Sequence, residues 1–274
     1  MIKLSIAIAA DNALPTAFVV YRGFDKFIPR AAELGYQGVE LALKTAAEIN
    51  PAKLDTLLGN SGLEVSCIST GQVYAETGYM FTDPDLARRN TLKHIFRDFI
   101  DLAASYGKLV NIGRVRGRIG EDGKEKAEGR FIDLVADLCE YALAKNVTLI
   151  LEPVNRYEIN FINNVEEGAS LVKMVGRPNF KLMPDVFHMN IEDVTIAGEL
   201  EKHIADIAYI HLADSNRHAP GWGHTDFAEI FRSLKRANYS GWCSLEIFPV
   251  PDPDSAARQA ASYLLPLLKE VYSA

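Results

Sequence analysis

The stretch ELGYQGVELAL (33–43) carries the joint on which the fold of this chain turns. Glu33 and Leu34 close a run of helical periodicity, Gly35 stands where that helix must stop, and Gly38–Leu43 reads at once as a strand. Glycine tolerates the left-handed backbone that ends a helix, so a helix–glycine–strand joint is a compact turn between the two element types. The same joint recurs at Ser61-Gly62, Tyr106-Gly107 and Ser240-Gly241. Working outward, β-rich runs fall at Lys3–Ala9, Gly38–Leu43, Glu64–Ser69, Leu109–Gly113, Val147–Glu152, Lys181–Asp185, Ile207–His211 and Trp242–Ile247. Helical periodicity fills Phe24–Leu34, Pro51–Asn60, Pro84–Tyr106, Lys124–Lys145, Val165–Val175, Ala197–Ile204, Phe227–Ala237 and Asp254–Tyr272. Strand–helix alternation without a linker or a composition break predicts a single (β/α)8 TIM barrel over residues 1–274. A doubly wound open sheet is the rival. It usually places a glycine-rich phosphate loop after its first strand, and Ala9-Ala10-Asp11-Asn12 is not one.

The bulk composition narrows the function classes. Over 274 residues, 48% hydrophobic and 24% charged side chains suit a globular protein with a sizeable core. A formal net charge of −7 lacks the electropositive background of sequence-independent nucleic-acid binding. Cys67, Cys139 and Cys243 are far apart and make neither a disulfide framework nor a zinc spacing. The opening MIKLSIAIAADN has too short an apolar stretch for an export signal and reads as a first strand. No apolar run approaches the roughly 20 residues of a membrane-spanning helix. The expectation is a cytoplasmic protein with neither nucleic acid nor membrane as a partner.

In a barrel of this type the chemistry gathers where strands end and the following loops begin. VTLILE ends in Glu152, KLMPD in Asp185, IAYIH in His211, and WCSLEI carries Glu246 at the same level. Taken singly, a strand-end carboxylate often caps the next helix, and a strand-end histidine is often a satisfied core residue. On four consecutive strands, however, these side chains converge on one axis. Three carboxylates there repel one another unless a cation neutralises them, so the constellation implies a metal. Three oxygen ligands and one imidazole suit one divalent ion, Mn2+ first, with Mg2+ or Co2+ as alternatives. Such an ion polarises a sugar carbonyl and stabilises an enediolate. Glu152 and Glu246 then gain a second role as the acid/base pair on opposite faces of the substrate. Return of the proton to the opposite face of the same carbon is epimerisation; return to the neighbouring carbon is aldose–ketose isomerisation.

The stretches LEPVNRYE (151–158), DVFHMNIED (185–193), HLADSNRHAPGWGHTDF (211–227) and SLEIF (244–248) resemble the xylose isomerase-like sugar isomerase/epimerase barrels. They look most like the D-tagatose 3-epimerase and L-ribulose 3-epimerase branch. The resemblance implies a metal-dependent ketose 3-epimerase acting through a metal-bound cis-enediolate on a free ketose or keto-sugar acid. It implies metal ligation by Glu152, Asp185, His211 and Glu246, with Glu152 and Glu246 catalytic. It also implies substrate contacts from His188, Arg217 and Glu158, and a homodimer or homotetramer. A hydroxypyruvate-type or other aldose–ketose isomerase is the alternative, and a non-catalytic sugar-binding barrel a weaker one. A DNA-repair endonuclease on this barrel needs a cluster of several zinc ions. The ends of the second and third strands, Leu41-Ala42-Leu43 and Ser69-Thr70-Gly71, offer it no histidine.

Three further features are read from the residues themselves. GRVRGR (113–118) crowds arginines after the fourth strand, and Arg116 in particular would suit an anionic substrate, since guanidinium groups pair with carboxylates. A solvated basic loop facing Glu121, Asp122 and Glu125 is the plainer reading. Gln72, just past the third strand, is expected to line the pocket, and Trp222 is a candidate lid over the sugar ring.

Overall fold

In the computed structural model, which describes residues 2–273, all strand pairs are parallel and belong to one sheet. The strands are β1 (Lys3–Ala9), β2 (Tyr21–Arg22), β3 (Gly38–Ala42), β4 (Glu64–Ser69), β5 (Leu109–Ile112), β6 (Thr148–Leu151), β7 (Phe180–Leu182), β8 (Tyr209–Leu212) and β9 (Trp242–Leu245). They hydrogen-bond in the order β7–β6–β5–β4–β3–β1–β9–β8. Two isolated bridges, Leu182 to Ile207 and Asp185 to His211, join the two ends of that order. The sheet thus closes into the expected (β/α)8 barrel. The two-residue β2 pairs with the end of β1 and was not foreseen. Met1 and Ala274, the outer limits of the single-domain expectation, lie outside the described residues.

The helices α1 (Phe24–Glu33), α2 (Pro51–Ser61), α4 (Leu86–Ala103), α5 (Lys124–Leu143), α6 (Val165–Val175), α8 (Ile196–Lys202), α9 (Phe227–Arg236) and α10 (Pro253–Ser273) form the outer shell, close to the predicted bounds. Two short helices in the loops above the strand ends, α3 (Val73–Thr77) and α7 (Val186–Glu192), were not predicted. Side chains such as Phe96, Phe99, Phe131 and Leu264 fill the layer between helices and sheet, while Cys67, Ile150, Met183 and Tyr209 pack inside the lumen. No described helix is long and apolar enough to cross a membrane.

The glycine joints largely behave as read. Gly35, Gly62 and Gly107 take φ of +90°, +65° and +71°. At the fourth joint the left-handed residue is Asn238, at φ +58°, rather than Gly241. Gly241 instead makes room for a ring: a Cβ there would lie 2.5 Å from the Tyr239 hydroxyl.

Candidate active site

Glu152 follows the last residue of β6, Glu246 follows β9, and His211 lies within β8. Asp185 comes three residues beyond the short β7, where its backbone bridges His211. One ligand atom from each of the four lies within 4.8 Å of the others. Asp185 and His211 are fully buried, and Glu152 is nearly so. The donor set fits a divalent ion on a further observation. Asp185 Oδ1 caps α7 by accepting from Phe187 N at 2.8 Å, yet its buried Oδ2 has no hydrogen-bond partner. His211 Nδ1 is likewise buried without a hydrogen-bond partner, 3.7 Å from Glu152 Oε1 and 3.9 Å from Glu246 Oε2. Buried polar atoms are rarely left so, because each costs its desolvation. Both point into the same small space. A Cβ on Gly113 would sit 2.9 Å from Glu152 Oε2, so the glycine leaves that carboxylate its place. In the other acid and histidine group in the described residues, Glu166 is exposed, Glu199 half-buried and His203 buried, and both carboxylates pair with the Lys202 ammonium.

The protein surroundings treat the carboxylates differently. Burial raises Glu246 to about 7 and Asp185 to about 6, despite the opposing charges of His211 and Arg217. Burial acts on Glu152 as well, but the neighbouring His211 imidazole outweighs it and holds that carboxyl low.

His188, on α7, is buried beside the cluster, its Nε2 3.8 Å from both Glu152 Oε1 and Asp185 Oδ2. Burial lowers it to about 3, so it is neutral. Its tautomer follows from Asn155. Asn155 Oδ1 accepts from Tyr157 N at 3.0 Å, which turns Nδ2 toward His188 Nδ1 at 2.7 Å. Nδ1 therefore accepts, and Nε2 carries a proton aimed at the pocket. Arg217 donates to Glu158 Oε1 at 3.1 Å and to Glu246 Oε2 at 2.7 Å. Its guanidinium lies between the rings of Phe18 and Phe187, 4.0 and 4.9 Å from their centroids. Asp214 shapes the loop that carries Arg217 by accepting from the backbone of Gly221 and Thr225.

Glu152, Glu158, His188, Arg217, Glu246 and Gln72 line one pocket at the mouth of the barrel. Gln72 is at the wall as expected, its amide tying Leu14 N to Ala42 O across the strand end. The expectation for Arg116 is corrected. It is fully buried beneath the mouth, and its guanidinium donates to the carbonyls of Phe161, Ile162, Gly113 and Glu152. Every one of those acceptors is main chain, so the side chain fastens the 152–162 loop to the barrel. Arg114 is the arginine of that segment that lines the pocket. Its guanidinium lies over Phe18 and 3.9 Å from Glu158 Oε2. Trp222 does not border the pocket and stands 39% exposed, so the lid reading fails. Phe18 and Asn155 join the site without having been expected from the sequence. Asn155 lay inside a quoted motif, whereas nothing near Phe18 marked it.

A family model described as xylose isomerase-like TIM barrel matches residues 28–267. The L-ribulose 3-epimerase of Methylomonas sp. is 32% identical over 229 residues, which cover 82% of this chain and 79% of that protein. The D-psicose 3-epimerase of Ruminiclostridium cellulolyticum is 29% identical over 231 residues, covering 81% and 77%. A solved structure of an L-ribulose 3-epimerase superposes with a TM-score of 0.85 at 24% identity, covering all of this chain and 96% of the other. At that identity the superposition bears on the fold alone.

Proposed function

The chain belongs to the xylose isomerase-like TIM barrel family, and from that premise we propose that it is a divalent-metal-dependent ketose 3-epimerase. The observation that carries the proposal is the convergence of Glu152, Asp185, His211 and Glu246, with Asp185 Oδ2 and His211 Nδ1 turned unpartnered into the same space. A divalent ion held there, Mn2+ first and Mg2+ or Co2+ as alternatives, would supply Lewis-acid polarisation of the substrate carbonyl. The rest falls to the chain. Glu152, held ionised, removes the proton from C3, leaving an enediolate on the substrate. Glu246, on the other side of the pocket, acts as the acid that returns a proton to the opposite face. In the reverse direction the two exchange roles. The neutral His188 offers its Nε2–H to the substrate oxygen that gains charge, and Arg217 with Glu158 holds a neighbouring hydroxyl.

The names of the relatives support a sugar substrate and an isomerase-class reaction. The substrate is a free ketose or keto-sugar acid, and Arg114 is the residue placed to separate the two. The proposal extends to a cytoplasmic location and a homodimer or homotetramer, checked by fractionation and by light scattering. The deciding experiment incubates the Mn2+-loaded protein in D2O with D-fructose, D-tagatose, L-ribulose and a keto-gluconate. Deuterium at C3 together with the C3 epimer is the expected result. Deuterium at C1 or C2 with an aldose product would make the enzyme an aldose–ketose isomerase, and no exchange on any of them would reject the substrate class.

A further inference from the structure

Directly beneath the metal cluster, the barrel lumen holds a polar layer where such barrels usually stack apolar side chains. Glu40 on β3 is its centre, 1% exposed within the otherwise apolar run GVELAL. The β3–β4 register jumps there, from Val39 opposite Val65 to Glu40 opposite Cys67. Ser66 is thus left over as a bulge, a device that re-aims side chains near functional sites. Tyr209 donates its hydroxyl proton to Glu40 Oε2 at 3.0 Å, and its oxygen lies 3.1 Å from Ser5 Oγ and 2.7 Å from Ser66 Oγ. The Glu40 carboxylate faces His211 Nε2, with its oxygens at 3.2 and 3.0 Å. An ionised carboxylate only accepts, so Nε2 keeps its proton and Nδ1 is the nitrogen left to offer a lone pair to a metal. That Nδ1 is the unpartnered atom turned toward Glu152 and Glu246.

We infer that Glu40 is a positioning residue for the metal centre: it fixes the tautomer and ring plane of His211 so that Nδ1 is the ligand atom. The inference rests on the proposed metal site, although not on which sugar is turned over. Stability alone is a poor reason to keep this layer. Buried ion pairs seldom contribute much net stability, and apolar replacements are often neutral or stabilising. A carboxylate on the far nitrogen of a ligating histidine, by contrast, fixes its orientation and strengthens its lone pair as a donor.

The test measures the Mn2+ dissociation constant, by electron paramagnetic resonance of free Mn2+, for the wild type, Glu40→Gln and Glu40→Asp. Thermal unfolding of each metal-free protein is followed alongside. The expected result is a loss of affinity of about 10- to 100-fold in both variants, with metal-free unfolding shifted little. A folded variant that binds Mn2+ within about twofold of wild type overturns the inference. Should both variants fail to fold, the wild type decides. In the Mg2+-loaded protein, 15N–1H correlations must place the His211 ring proton on Nε2, and a proton on Nδ1 overturns the assignment. Tight metal binding that weakens in the Glu40 variants, together with absent sugar exchange, would reject the epimerase reading and leave this one intact. Sugar exchange with unaltered Mn2+ affinity in the variants would do the reverse.

Discussion

Arg114 and Arg116 are two residues apart, and their surroundings give them opposite work. Arg116 is fully buried and gives its donors to main-chain carbonyls. Arg116→Met would leave those carbonyls unpaired and should cost about 3 kcal/mol or more, read as a lowered urea midpoint before any effect on substrate choice. Arg114 makes no side-chain hydrogen bond among the described residues, and its donors face the pocket. Arg114→Gln should lower kcat/KM for a keto-gluconate by about tenfold or more, the worth of one charge-assisted hydrogen bond, and leave a neutral ketose within about threefold. Equal changes for the two substrates would remove Arg114 from specificity. Sequence alone could not separate this pair. GRVRGR presents both as basic residues after a strand, and only the backbone turn decides which one points inward. Glu40 was visible as an acidic residue in an apolar run, but its partners Tyr209 and His211 lie far along the chain. The four proposed ligands were legible because each ends an apolar run, a signal that needs no knowledge of distant contacts.

Among the elements, α7 shows how one carboxylate can cap a helix and still offer an oxygen to the proposed metal. Asp185 Oδ1 caps the helix, and Oδ2 is free. Asp185→Asn keeps the cap and removes the charge, so Mn2+ binding should be lost while the helix stays. The sign of the stability change follows from the raised carboxyl. A folded-state value of about 6 against about 3.9 in an unfolded chain means that the folded protein holds the proton more tightly. That contribution is fully present below the unfolded value and lost as pH rises through 6. At pH 8 the metal-free Asn variant should therefore unfold at the same temperature as wild type or higher, and a marked decrease would show that Asp185 stabilises the fold by its charge. The longer outer helices, such as α4, α5 and α10, were legible from periodicity because each covers the sheet with a long apolar stripe. The helix α7 was not read, although the equally short α8 was. The strand β7 shrank to Phe180–Leu182 because Pro184 cannot donate to a ladder.

Across the whole molecule, the barrel is closed by few backbone pairs where its chemistry is proposed to lie. Strands β7 and β8 are joined by only two bridges, and one of them is Asp185 to His211. A metal that binds both side chains would therefore cross-link a seam held by few backbone pairs. It must also displace protons from Glu246 and Asp185, which the fold raises to about 7 and about 6. Mn2+ affinity should thus fall as pH drops below 7, by about tenfold between pH 8 and pH 6 for the Glu246 proton alone. Isothermal titration at the two pH values measures this, and an affinity that does not change would mean that those carboxyls are ionised throughout. At pH 8, Mn2+ at about 100 times its dissociation constant adds about 2.7 kcal/mol, or about 5–10 °C in Tm for a chain of this size. Hydrogen exchange locates the gain. Because the ion would span β7 and β8, the amides of Ala208 and His211, which bond to Leu182 O and Pro184 O, should slow more than those paired between β3 and β4. Protection spread evenly around the barrel would mean that the metal stabilises the native state without bracing its seam, and the absence of any shift in Tm would deny the site altogether.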